Sequence, residues 1–338
     1  MTPVEKHHRR WPRRLLACAI VLAGTWMALA AFSLAPQGGP WPWLAALVPA
    51  VVTVLALRGA RALRWVFAAG FAVALACFAL LQPRQDRDWA DDVARLLQAQ
   101  VEGDRVVLHN VRNFDWRGET DYDARWETRQ YDLSKLRSAD LAMSYWMGPA
   151  IAHTLVSFGF DDGQRVVFSL EIRKERDESF SALAGFFRRY EQVLIAADER
   201  DILRVRSNVR GEDVYLYHLD LPPQALREAF LDYLAIAGDL QRQPRFYNSL
   251  TSNCTTVVFE LARHLQPGLP LDWRLLLSGY FAEYAYQHGG LMPGYDYPSL
   301  HAAGRVTERA RATGEAGDYS QRIRIGVPGA DITKETTR

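Results

Sequence analysis

Leu15 to Leu57 contain no Lys, Arg, Asp or Glu, and after Arg58, Arg61 and Arg64 the chain is uncharged again from Trp65 to Pro83. Roughly 20 apolar residues in a helix span a bilayer. The first run therefore holds two such helices, with Pro36, Gly38, Gly39, Pro40 and Pro42 as the turn between them. The predicted spans are 15–35, 41–57 and 63–81, inside a membrane anchor of residues 1–83. Trp11, Trp41, Trp43 and Trp65 stand near their ends, where amphipathic rings favour the interface. The alternative is three buried helices of a soluble protein, but uncharged runs this long are rare in soluble cores.

Charge placement sets an orientation. Lys6, Arg9, Arg10, Arg13 and Arg14 precede the first span, and the three later arginines separate the second from the third. The positive-inside rule makes both clusters cytoplasmic and puts everything after Leu81 outside. The expectation is a multi-pass protein of the bacterial inner (cytoplasmic) membrane with an extracytoplasmic, periplasmic body. Cleavage of a signal peptide near Ala28-Leu29-Ala30 is the rival, and it leaves the body in the same place.

The body has material for a core. The chain has 338 residues, 49% hydrophobic and 23% charged, which excludes disorder and a collagen-like repeat. Three cysteines are too few to staple it. The net charge of +1 hides a split: residues 1–83 carry eight basic side chains and one acidic one, leaving 32 basic against 38 acidic. A mildly acidic body argues against nucleic acid as a partner.

Along the body, residues 87–100 read as an amphipathic helix, followed by strand-like runs at Arg105–His109, Arg125–Leu133, Leu141–Trp146, Ile151–Phe160 and Arg165–Arg173. Asp161-Asp162-Gly163-Gln164 between the last two is a hairpin signal. Tyr190–Arg200 is expected as a helix, and Ile202–Val209 and Val214–Leu219 as strands. Pro222-Pro223 open a helix to about Leu240, and Asn253–Leu265 form another. A strand-rich middle enclosed by helices is an α+β domain, expected over residues 84–301. The polar tail, 302–338, is expected to be poorly ordered.

Cys18 and Cys77 fall inside predicted spans, which leaves Cys254 alone in the body with no disulfide partner. Ser252 or Asn253 caps the helix that follows, so Cys254 sits in its first turn. There the helix dipole and free N–H groups favour a thiolate, and the same N–H groups can hold an oxyanion. The bland reading is a buried cysteine in an apolar helix.

A cysteine nucleophile needs a base. His264 is ten residues along the same helix, about 15 Å away, too far to serve. Of His109, His153, His218, His288 and His301, His153 has the best context, on the mixed face of strand Ile151–Phe160 just after Gly148-Pro149. The paired strand offers Ser169, Glu171 or Arg173 to orient it. A two-residue turn at Asp162-Gly163 sets His153 opposite Ile172, and a three-residue turn with a bulge sets it opposite Glu171. The other histidines read more simply as surface or core residues. HExxH, CxxC, a phosphate-binding glycine loop and G-x-S-x-G are missing from the sequence, which points to no metal and no cofactor.

Several short segments together resemble a known family. They are Val111-Arg112-Asn113-Phe114, Arg125-Trp126, Tyr131-Asp132-Leu133, Ala152-His153-Thr154, Ser157-Phe158, Ser169 to Glu175, Tyr247-Asn248 and Asn253-Cys254-Thr255-Thr256. The order of histidine on a strand, then Asn-Cys at a helix start, resembles circularly permuted papain-like enzymes of the NlpC type. The segments are similar, more closely, to the Lnb family of extracytoplasmic lipoprotein intramolecular acyltransferases. That resemblance implies a permuted papain-like fold with Cys254 as nucleophile, His153 as base and Glu171 as a candidate third member. Tyr247 and Asn253 are candidates to line the substrate site. For the family it also implies transfer of an sn-2 acyl chain to the α-amine of a lipoprotein's first cysteine, so the expected partner is a lipid or lipoprotein in the membrane. A cysteine amidase or peptidase acting on cell-wall peptides is the second reading, and a binding module with a retired site the third.

Overall fold

The computed structural model describes residues 10–314 and 317–330, in two compact units. Lys6, Arg9, His7 and His8 and the last residues of the polar tail, 331–338, lie outside the described residues.

The first unit holds residues up to Arg87 together with Lys174–Glu191 and Phe246–Ser249. Its helices are α1 (Arg10–Leu34), α2 (Trp41–Arg58) and α3 (Arg61–Leu80). All three are long and apolar enough to cross a membrane. Few of their side chains are buried, Ile20, Met27, Ala56 and Phe67 among them, so the apolar surface faces outward. The closest approach is at Gly24, where a Cβ would lie 2.0 Å from the Thr53 hydroxyl; only glycine lets α1 and α2 meet there. The loop 174–191 closes two helix ends. Arg188 donates to the Phe78 carbonyl at 2.9 Å and lies over the Phe78 ring, and Arg189 donates to the Ala35 carbonyl at 2.8 Å. Helix C-termini leave carbonyls unpaired and carry partial negative charge, which two guanidinium groups answer.

The second unit is α+β, built on a mixed sheet. Its strands are β1 (Gln98–Glu102), β2 (Arg105–Arg112), β5 (Trp126–Asp132), β6 (Leu136–Met147), β7 (Ile151–Phe160), β8 (Arg165–Arg173), β9 (Glu191–Ala197) and β10 (Asp213–His218). A separate two-stranded ribbon is formed by β3 (Asp115–Trp116) and β4 (Tyr122–Asp123). The order is β1-β2-β9-β8-β7-β6-β10, with β5 also on β2; β2 and β9 run parallel. Strands β6, β7 and β8 form an antiparallel meander through the middle.

Both faces of that meander are covered, so β7 is nearly continuous in burial rather than alternating. On one face Phe158, Phe160 and Phe168 pack against Phe230 and Tyr233 of α5 (Pro223–Arg242) and Phe259 of α6 (Cys254–Leu265). Leu155, Val167 and Ile195 face the other way, toward Ile202 and Leu203 of α4 (Glu199–Arg204) and toward Tyr319, Ile323 and Val327 near the carboxyl end.

Several segments differ from their sequence expectation. Residues 87–100 give a short 3-10 turn at Asp91–Val93 and then β1. Tyr190–Arg200, expected as a helix, is mostly β9, because Val193, Leu194 and Ile195 are buried on both faces. Ile202–Val209, expected as a strand, lies in α4 and the π-turn Val205–Val209 that follows it. The described residues after Ala302 are folded: α7 (Tyr297–Gly304) is followed by α8 (Thr307–Thr313) and α9 (Tyr319–Arg322). Arg324, fully buried, donates to Asp140 at 2.8 Å and pairs with Glu199 at 2.5 Å. Burial alone would push Asp140 upward, but Arg324, His218 and Arg165 around it hold its carboxyl far below the usual range.

Candidate active site

Asn253 begins α6 with an N-cap. Its side-chain oxygen accepts from the N–H groups of Thr255 and Thr256, both at 2.9 Å, and the Thr256 hydroxyl accepts from the Asn253 N–H at 2.7 Å. This reciprocal cap is typically worth about 1 kcal/mol. It fixes Cys254 as the first helical residue, 6% exposed, in the positive end of the dipole. It also uses the two amides that a helix start would otherwise offer an oxyanion. The N–H of Cys254 itself is not used by the cap.

Gln192 of β9 donates its side-chain amide to Ser252, bracing the turn before the cap. Across the sheet, the Thr154 and Thr255 hydroxyls meet at 2.9 Å, tying β7 to the helix start.

The β7–β8 loop decides which residue faces His153. Phe160 pairs with Gln164 at 3.0 Å, Gly163 donates back to the Phe160 carbonyl, and Gly163 has φ of 85°. The loop thus has three residues with a left-handed glycine last, the bulged form. Val156 lies opposite Phe168 and Ser157 opposite Val167, and the same register carried along the strands sets His153 level with Glu171.

His153 Nε2 lies 2.7 Å from the Ser169 hydroxyl and 3.1 Å from a Glu171 oxygen, and Ser169 donates to that carboxylate at 2.8 Å. Arg206 of the π-turn donates to the same Glu171 oxygen at 2.9 Å and to Glu212 at 3.3 Å. The Ser144 hydroxyl of β6 closes the chain on Glu212. Arg173, the other candidate orienter, is turned to the 3-10 segment: it donates to the carbonyls of Val93 and Ala94 and lies over Trp89.

Electrostatics follow from this chain of groups. Burial pushes the Cys254 thiol up, but the charge and hydrogen bond of His153 and the Thr154 backbone N–H outweigh it and lower the thiol to about 7. Burial pulls His153 down, whereas the Glu171 carboxylate and the Cys254 sulfur raise it to about 9. Glu171, against the effect of burial, is held well below the carboxylate range by His153 and Arg206. The ordering favours a thiolate–imidazolium pair between these values.

The structure therefore brings Cys254, His153, Glu171 and Asn253 together. Tyr247 belongs to the first unit, where its N–H donates to the Tyr190 carbonyl. Arg206, Glu212, Ser144 and the Thr154 amide escaped the reading from sequence. Arg206 falls in Ile202–Val209, expected as a strand, and its one local signal is its place among three closely spaced arginines, Arg204, Arg206 and Arg210, just before Gly211. The remaining described histidines have other partners: His218 with Asp140, His301 with Tyr217, His264 with Asp232, His109 with Thr128, and His288 with the Tyr284 carbonyl. Among the described residues no group of His, Cys, Asp or Glu is arranged to hold a metal ion.

Residues 122–279 match the family model described as the Lnb N-terminal periplasmic domain, a segment that includes His153, Ser169, Glu171, Arg206 and Cys254. No curated protein and no solved structure matches the chain.

Proposed function

We propose, of a chain that belongs to an Lnb-type family, that it is a membrane-anchored cysteine acyltransferase working at the outer face of the inner membrane. The periplasmic domain and three apolar helices make it a membrane-associated protein. In this reading α1, α2 and α3 each cross the bilayer, the amino end is cytoplasmic and the second unit is a permuted papain-like catalytic body. The observation that supports it most is the contact of Cys254, buried at a helix start, with a His153 that Ser169 and Glu171 hold from behind.

The chemistry runs in two halves. His153 takes the Cys254 proton, and Nε2 being engaged by Ser169 and Glu171 leaves Nδ1 for that work. The thiolate attacks an acyl ester of a lipoprotein or phospholipid, with the oxyanion held by the Cys254 N–H. The carbon–oxygen ester bond breaks, the lyso alcohol leaves with the proton from His153, and an acyl thioester remains on Cys254. An amine then attacks the thioester; its proton passes to His153 and the thiolate is restored. Glu171 and Arg206 keep the imidazole in register and its charge compensated throughout.

The test is to trap the intermediate. Full-length protein incubated with phospholipid or diacylated lipoprotein carrying an alkyne-tagged acyl chain should gain a hydroxylamine-labile label on Cys254, and Cys254→Ala should gain none. A label that stays absent with every lipid donor, while purified murein loses stem peptides in a Cys254-dependent way, would replace acyl transfer by peptide hydrolysis.

A further inference from the structure

The second unit leaves several large apolar side chains in solvent on and near a segment that packs against α6, the helix its candidate nucleophile begins. Leu271, Trp273, Leu276 and Leu277 are 79, 56, 53 and 40% exposed, and Met147 at the tip of β6 is 55% exposed. Soluble domains seldom leave such a patch bare without using it. The charged residues within this stretch do not break it up. Arg274 is only 7% exposed, held by both Asp272 oxygens at 2.8 and 2.9 Å and by Gln287, and lies over the Tyr284 ring.

The patch is also rigidly attached to the strand that carries His153. Ser278 donates to the Ala152 carbonyl at 2.7 Å and accepts from the Ala152 N–H at 3.0 Å. Gly279 donates to the Ala150 carbonyl at 2.9 Å, and a Cβ there would lie 2.1 Å from the Pro149 carbonyl oxygen. The Tyr145 hydroxyl donates to the Gly279 carbonyl at 2.7 Å. The apolar segment is thus fastened by two hydrogen bonds to the residue next to His153, and by one each to Ala150 and Tyr145.

We propose that Met147, Leu271, Trp273, Leu276 and Leu277 form a ledge that inserts into the outer leaflet of the bilayer. An indole among aliphatic side chains, with the neighbouring charges paired internally, has the chemistry of an interfacial segment. Only seven residues, 81–87, connect the last apolar helix to the start of the second unit, a tether of at most about 25 Å. That leash makes the bilayer the apolar phase always within reach. Insertion would hold the site at the depth of an acyl ester, so that the chain to be transferred need not leave the hydrocarbon. The ledge rests on the membrane placement proposed above and not on the acyl-transfer chemistry.

The test uses full-length protein with Cys18→Ala, Cys77→Ala and Cys254→Ala, reconstituted in vesicles of phosphatidylethanolamine and phosphatidylglycerol. Nitroxide labels are placed singly at Leu276→Cys and Leu271→Cys, at Val48→Cys in α2, and at Asp162→Cys at the far end of β7. Relaxation by oxygen, which concentrates in lipid, is compared with relaxation by a water-soluble nickel chelate. The ledge labels should favour oxygen several-fold, like Val48 and unlike Asp162. Ledge labels as nickel-accessible as Asp162, with Val48 in lipid, would overturn the ledge and leave the spanning helices standing. A nickel-accessible Val48 would overturn both.

Discussion

At the scale of single residues, the site is a competition between burial and charge, and its outcome can be titrated. Burial alone would leave Cys254 an unreactive thiol; His153 brings it down to about 7. In protein with Cys18→Ala and Cys77→Ala, the rate of iodoacetamide reaction should rise with a midpoint near pH 7. His153→Ala should move that midpoint above the ordinary thiol value of about 8.5, because burial then acts unopposed. Glu171 acts on the imidazole with the opposite sign. Its carboxylate favours the charged ring, so Glu171→Gln should lower the His153 value from about 9 and shift the alkaline limb of an acyl-transfer pH profile to lower pH. Ser169→Ala should shift it less while slowing turnover, since the hydroxyl positions the ring without carrying charge. Cys254 and His153 stand out in the sequence, the one as the lone cysteine of the body and the other as a histidine on a mixed strand face, whereas Glu171 is one of three possible orienters until the hairpin register chooses among them. Arg206 does not stand out, since nothing local says that this arginine, among Arg204 and Arg210, faces a carboxylate 35 positions earlier.

At the scale of elements, α6 and the β7–β8 hairpin do the positioning. Asn253→Ala removes the cap and should lower the melting free energy by about 1 kcal/mol. It should also slow Cys254 alkylation by fraying the turn that presents the thiol. Arg206→Met takes a cation from between Glu171 and Glu212, leaving the first to His153 and the second to the more distant Arg210, a loss of about 3 kcal/mol, to be read from denaturant midpoints in detergent. The hairpin shows what periodicity can and cannot decide. Alternation located both strands, but two- and three-residue turns fit Asp161-Asp162-Gly163-Gln164 equally well. The positive φ of Gly163 is a property of the folded loop. Residues 191–197 and 202–209 differ from expectation for a related reason. A short apolar run such as 191–197 is compatible with strand or helix, as is a brief alternation such as 202–209, and what lies on the two faces makes the choice.

At the scale of the whole molecule, the second unit is held together by buried ions as well as by its aromatic core. Burial would raise the carboxyls of Asp140, Glu171, Glu199 and Glu212, but neighbouring cations lower all four: arginines foremost for three of them, and His153 ahead of Arg206 for Glu171. Groups lowered on folding stabilise the native state above their unfolded value of about 4, and that stability is lost as pH falls through the native values. His153 has the opposite sign: its contribution is complete below about 6.5 and is lost as pH rises through about 9. Melting temperature against pH should therefore fall on the acid side, with a smaller decline on the alkaline side that His153→Ala removes. The uncharged amino-terminal runs could be read from composition alone, since a bilayer demands length and apolarity and little else. The order of residues 302–314 and 317–330 could not, because anchors such as Thr307 and Arg324 bond partners far back in the chain.

That distance governs how the protein is made. Arg324 follows Asp140 by 184 residues and Glu199 by 125. At ribosomal speeds of about 5 to 20 residues per second, Asp140 and Glu199 are made roughly 6 to 40 s before the arginine that joins them. Arg165, only 25 residues after Asp140, reaches that carboxylate early, but the ion pair that ties β6 to α4 cannot form until Arg324 has emerged. The bridge between β6 and α4 is accordingly closed late, and a chain stalled before Arg324 would carry every residue of its candidate site without that clasp.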